Sequence, residues 1–138
     1  MGQSIREIMT ANPSTIEPGN SVVDAARIMK QEDAGVVPVT ENGRLTGMVT
    51  DRDIAIRVVA EGKDPQSTTV REVASTDLVT VDPQQDLDEA LRLMAQHQVR
   101  RLPVVEEDGR LVGVVAQADV AREGNDAQTG QVVQEISD

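Results

Sequence analysis

The residues best suited to chemistry in this chain gather in one short phrase, "GMVTDRDI", Gly47 to Ile54. Thr50 offers a hydroxyl, Arg52 a permanent positive charge, and Asp51 and Asp53 carboxylates, all at consecutive positions. Where a strand turns into a helix, a carboxylate such as Asp53 can accept both hydroxyls of a ribose. The threonine hydroxyl and the first helical amides can hold a phosphate, and Arg52 adds charge. A plainer role competes. Thr50 followed three residues later by Asp53 is also the pattern of a helix cap, with the acid favouring the positive end of the helix dipole. A second phrase, "GVVAQADV", Gly113 to Val120, keeps the glycine and the last aspartate, Asp119, but has Ala116 and Ala118 where Thr50 and Arg52 stood. Ala116 cannot cap. Asp119 can still serve the dipole alone, but an acid at both corners suggests a shared task.

Arg100 and Arg101 are the other candidates, as phosphate ligands or as a solvated or salt-bridged pair. The single histidine, His97, falls late in an apparent helix and reads as a surface or dipole residue. There is no cysteine, which excludes disulfides, thiol catalysis and zinc–thiolate sites. Asp51 and Asp53 are a conceivable acid–base pair, but an arginine stands between them and nothing signals the burial that would raise a carboxyl pKa. The expectation is a protein that is not an enzyme, with no metal and no required cofactor.

Composition narrows the partners. The chain has 138 residues and a net charge of −11, which argues against nucleic acid and against an anionic membrane. It has no Phe, Tyr or Trp, so its core must be built from smaller side chains, and self-association would help bury surface. The opening "MGQSIREIMT" lacks the apolar stretch of a signal peptide, and no run reaches transmembrane length, so a cytoplasmic location is expected.

The two phrases belong to a longer repeat. Pro83, Met94 and Pro103 each follow Pro18, Met29 and Pro38 by 65 positions. One residue inserted near Asp108 then aligns Gly113 with Gly47 and Asp119 with Asp53. Each copy reads as strand, helix, strand, strand, helix. "TIEP" and "TVDP" end the first strands. Ser21 with Asp24, and Asp86 with Glu89, resemble capping boxes ahead of apolar residues at helical spacing. "GVVPV" and "RRLPVV" carry prolines that suit sheet margins, and Asn42-Gly43 and Asp108-Gly109 signal hairpin turns. The boundaries expected are 1–62 for the first copy, 63–69 for a linker, 70–123 for the second copy and 124–138 for a polar tail, partly disordered. Within that tail Val132, Val133 and Ile136 can form one amphipathic turn. Neither copy alone is expected to be stable, so the two should pack through their sheets.

The repeated unit, the "G-apolar-V-T-x-x-D" phrase and the "LPVV" strand resemble a tandem pair of CBS domains over residues 4 to 122. The similarity is greatest to small bacterial proteins made of a CBS pair alone. It implies an α+β fold of two pseudo-twofold-related β-α-β-β-α repeats. It also implies a regulatory sensor that binds AMP, ADP or ATP in the cleft between repeats, with S-adenosylmethionine or NAD less favoured. By position, Asp53 would hold the ribose, with Thr50 and Arg52 nearest the phosphates. Arg100 and Arg101 of the opposite repeat would also reach the phosphates. Val37 and Pro38 would line the base, and backbone near Thr15 and Ile16 would read its edge. In the mirror site Asp119 would hold ribose, with Leu102 and Pro103 at the base. Gly35 and Val36 stand where the second copy has Arg100 and Arg101, so every phosphate ligand would serve the Asp53 site. The partners implied are a nucleotide, a second copy in a homodimer and an unknown effector protein. The alternative is a structural or adaptor homodimer with vestigial pockets.

Overall fold

A computed structural model describes residues 3–123, so the polar tail, with Val132, Val133 and Ile136, lies outside the described residues. In chain order the elements are α1 (Ile5–Ile8), β1 (Thr10–Ala11), α2 (Val22–Glu32), β2 (Val36–Glu41), β3 (Arg44–Thr50), α3 (Asp51–Ile54) continued by a π-helical turn (Ala55–Val59), α4 (Val70–Val73), α5 (Leu87–His97), β4 (Arg101–Val105), β5 (Leu111–Ala116) and α6 (Gln117–Glu123). The architecture is α+β, with antiparallel pairing throughout the named strands.

These elements form two compact units that cut across the sequence repeats. One spans Ser14–Leu78; the other joins the described residues up to Pro13 to those from Val79 to Glu123. In the first unit, β2 and β3 form a hairpin whose turn residues, Asn42 and Gly43, both take positive φ, which suits Asn-Gly. The expected first strand shrinks to one residue: the Ile16 N–H donates to the Pro38 carbonyl (3.0 Å), and the Thr40 N–H donates to the Ile16 carbonyl (2.9 Å). Helix α2 buries Val22, Ala25 and Met29 against Ile16, Val37, Val39, Val49 and Val58. The second unit repeats the arrangement, with Leu87, Ala90, Leu91 and Met94 of α5 against Val81, Leu102, Val104, Val115 and Val120. Among the named strands both prolines, Pro38 and Pro103, sit at a sheet margin, where their carbonyls accept from the single bridging residues Ile16 and Val81.

The short helix that opens each copy packs on the other copy's unit. Val70 and Val73 of α4 are fully buried in the core of the Ser14–Leu78 unit, and Ile5 of α1 is fully buried in the core of the other. Ser75 bridges to Met48 on β3, and β1 pairs with β5 through Thr10↔Val114 and Ala11↔Gly113. This explains the glycine in each repeated phrase. A Cβ on Gly47 would lie 3.0 Å from the Ser75 carbonyl oxygen, and one on Gly113 would lie 2.5 Å from Met9 Sδ.

The helix caps differ from expectation. The Ser21 hydroxyl does accept the Asp24 N–H, at 3.4 Å. Asp86 makes no side-chain cap, and the Glu89 carboxylate pairs instead with Arg92, whose guanidinium holds its pKa low. At the starts of α1 and α4 an acid caps from inside the helix instead: the Ser4 N–H donates to Glu7 and the Thr69 N–H to Glu72.

Candidate functional site

The turn from β3 into α3 brings Thr50, Asp51, Arg52 and Asp53 to one corner of the Ser14–Leu78 unit. Thr50 caps the helix, and Asp53 returns the bond. The Asp53 N–H donates to Thr50 Oγ1 at 3.0 Å, and the Thr50 N–H donates to Asp53 Oδ2 at 2.9 Å. The cap read from the sequence is therefore real. It does not exhaust Asp53. Two carboxylate oxygens carry about four lone-pair sites, and the Thr50 amide uses one of them. The Asp53 side chain keeps 13% of its exposure, and its other oxygen, Oδ1, faces Arg57 Nε at 4.0 Å. The Thr50 hydroxyl accepts one bond and keeps its own proton to donate.

Around this corner the chain is tightly fitted. The Asp51 N–H donates to the Gly35 carbonyl at 2.9 Å, and a Cβ on Gly35 would stand 3.2 Å from Asp51 Oδ2. Arg52 is exposed and makes no ion pair among the described residues. Val37 is a core residue at 1% exposure, and Pro38 beside it is also buried. The backbone of Ile16 is committed to β2 on both its N–H and its carbonyl, so the polar backbone left at this place belongs to the exposed Thr15.

The second corner is built alike. The Ala116 N–H donates to Asp119 Oδ2 at 3.2 Å, the same bond that Thr50 gives Asp53. Half of the reciprocal cap thus survives without a threonine, and this accounts structurally for an acid in both phrases. The Gln117 N–H donates to the Arg100 carbonyl at 2.7 Å, as Asp51 does to Gly35. Arg101 pairs in register with Ala116. The Arg100 and Arg101 side chains are exposed and form no ion pair among the described residues. Leu102 lies in the core, Pro103 is buried, and His97 is exposed at the end of α5.

Neither of two surface cavities competes for a nucleotide. One, of about 360 Å³, is lined by Asp82, Glu106, Glu107 and Asp108, whose charge would repel phosphate. The other, among Pro18, Thr46, Arg71 and Thr76, holds about 140 Å³, too small for such a ligand.

The repeat, the fold and the two corners define the class. The CBS domain family model matches residues 5–60 and 70–126, and the chain belongs to that family. Among relatives, the CBS domain-containing protein YhcV of Bacillus subtilis is 49% identical over 118 residues, covering 86% of this chain and 83% of YhcV. The crystal structure of Hypoxic Response Protein I with two coordinated zinc ions superposes with a TM-score of 0.82 at 40% identity, covering 89% of this chain and all of that one. The crystal structure of CBSX2 in complex with AMP has a TM-score of 0.77 at 26% identity, covering 88% and 95% of the two chains. Among the described residues no three His, Cys, Asp or Glu side chains group to hold a metal ion. No described helix is long and apolar enough to cross a membrane.

Sequence reasoning missed Arg57. Its signal was present: it stands four residues after Asp53, one helical turn on.

Proposed function

We propose that this chain is a regulatory sensor of adenine nucleotides, with AMP, ADP or ATP bound through its ribose at Asp53. The observation that carries the reading is the state of the Asp53 carboxylate. It is largely buried, anchored by the Thr50 amide, faced by Arg57, and still has acceptor capacity for a diol. Arg52, Arg100 and Arg101 are exposed and make no ion pair among the described residues, which gives an otherwise acidic protein cations for phosphate. Pro38 and the backbone of Thr15 are the neighbouring groups for the base. A family member seen with AMP supports the ligand class. The protein acts by binding, without catalysis, and passes the signal to a partner protein. A second copy is the nearest partner. Ile56 and Val59 are 45% and 69% exposed on the helix that starts at Asp51, and an apolar stripe of this kind favours association.

The second reading, a structural homodimer with vestigial pockets, is favoured by one observation. Asp53 and Asp119 both cap a helix, so their recurrence needs no ligand. Calorimetry with AMP, ADP, ATP, NAD and S-adenosylmethionine in turn separates the two. Saturable binding of an adenine nucleotide is expected. Absence of binding by all five would leave the adaptor.

A further inference from the structure

Arg57 touches two structures at once. Its Nε stands 4.0 Å from Asp53 Oδ1, and its Nη1 donates to the Val73 carbonyl at 3.1 Å. Val73 belongs to α4, the short helix that fills the core of this unit from the far side of the linker. Arg57 also lies inside the π-helical turn Ala55–Val59, closed by the Ala60 N–H on the Ala55 carbonyl at 2.9 Å. Single π turns inside helices concentrate at functional sites. Four residues after Asp119 the sequence has Glu123, so the second corner has no arginine at this spacing.

We propose that Arg57 is the positioning residue of the Asp53 carboxylate, setting its plane so that it accepts the 2′- and 3′-hydroxyls of a ribose together. This rests on the nucleotide reading above. The torsion that turns an aspartate carboxylate is broad and poorly fixed by itself. One anchor, the Thr50 amide on Oδ2, leaves the carboxylate free to swing about that bond. The Arg57 charge, 4.0 Å from Oδ1, acts on the other oxygen through attraction and restricts that swing. The Val73 carbonyl holds the guanidinium in place for this task, since an arginine's planar fork can serve two acceptors in fixed directions. A diol needs both carboxylate oxygens correctly placed, whereas a single hydroxyl needs one.

The test compares AMP with 2′-deoxy-AMP by equilibrium dialysis, in the wild type, Arg57→Ala and Arg57→Lys. Amide hydrogen exchange is measured in parallel on the ligand-free proteins. The wild type should prefer AMP about tenfold, the worth of one charged hydrogen bond. Arg57→Ala should bring that ratio close to one, and Arg57→Lys should restore part of it. In ligand-free Arg57→Ala, the Thr50 amide should exchange faster, because its acceptor on Asp53 is no longer held. The amides of Thr40 and Val105, bonded in the two units, should be unchanged and so report intact folding. A merely structural arginine would weaken both nucleotides equally and leave the ratio intact, and that result overturns the proposal. An unchanged Thr50 amide overturns it as well. If the wild type binds neither nucleotide, the functional reading fails, and the Thr50 amide alone decides whether Arg57 positions Asp53.

Discussion

Met9 crosses directly over Gly113. A Cβ at Gly113 would lie 2.5 Å from Met9 Sδ and 2.9 Å from the Thr10 carbonyl oxygen. The sulfur can move, but the carbonyl belongs to β1, which pairs with β5 at this point. Gly113→Ala should therefore destabilise the protein by about 1–3 kcal/mol, the usual cost of overpacking. Urea denaturation checks this, and an unchanged midpoint would show that β1 yields freely.

The same packing puts Ile5 in the core formed with Val81, Leu87 and Leu102. Ile5→Ala should cost about 2–5 kcal/mol. Hydrogen exchange gives the location. The Val105 amide, bonded to Val81, should lose protection before the Thr40 amide, bonded to Ile16. Loss at Thr40 first would place the destabilisation in the wrong unit.

The elements were legible in the sequence because they are local. Helical spacing from Val22 to Met29 and from Leu87 to Met94, and the Asn42-Gly43 turn, each carry their own signal. The grouping into units was not legible. Nothing in "IREI" or "VREV" says which copy they pack on, because that choice is made by distant surfaces such as Gly47 and Gly113. At the corner, Thr50 and Asp53 were legible both as a cap and as ligands. The structure shows how the roles coexist, through lone pairs that no sequence displays. Val37 and Leu102 are pocket lining by the family resemblance, and the structure buries both side chains, at 1% exposure each. The Ser4/Glu7 and Thr69/Glu72 caps were readable and passed over, while Asp86 and Glu89 had the right spacing but Arg92 claimed the glutamate.

Glu72 gives a pH dependence. The Thr69 N–H and hydroxyl both donate to its carboxylate and hold its pKa below the ordinary glutamate range. A lowered folded value means that the stabilisation is full above the unfolded pKa and fades as pH falls through the folded one. Glu72→Gln keeps an acceptor but cannot titrate. Melting temperatures measured across the acid range should therefore fall less steeply for Glu72→Gln than for the wild type. Parallel curves would show that the exposed cap carries no such linkage.

Arg100 and Arg101 should act on phosphate and not on the base. Replacing both with Ala should weaken AMP strongly and adenosine little, because adenosine has no phosphate. The salt dependence of AMP binding should flatten as well, since the screened charge pairs would be gone. Equal losses for both ligands would assign the arginines to the fold or the base instead.

The central claim is that Asp53, more than Asp119, holds a nucleotide. With no Phe, Tyr or Trp, the protein barely absorbs where adenine does, so bound AMP is read directly by ultraviolet absorbance after equilibrium dialysis. Asparagine keeps an acceptor for the capping amide and removes the charge, which separates binding from folding. Asp53→Asn should weaken AMP by about ten- to a hundredfold, the worth of a charged hydrogen bond, and Asp119→Asn by much less. Equal effects from the two substitutions, or full affinity in Asp53→Asn, would contradict the account.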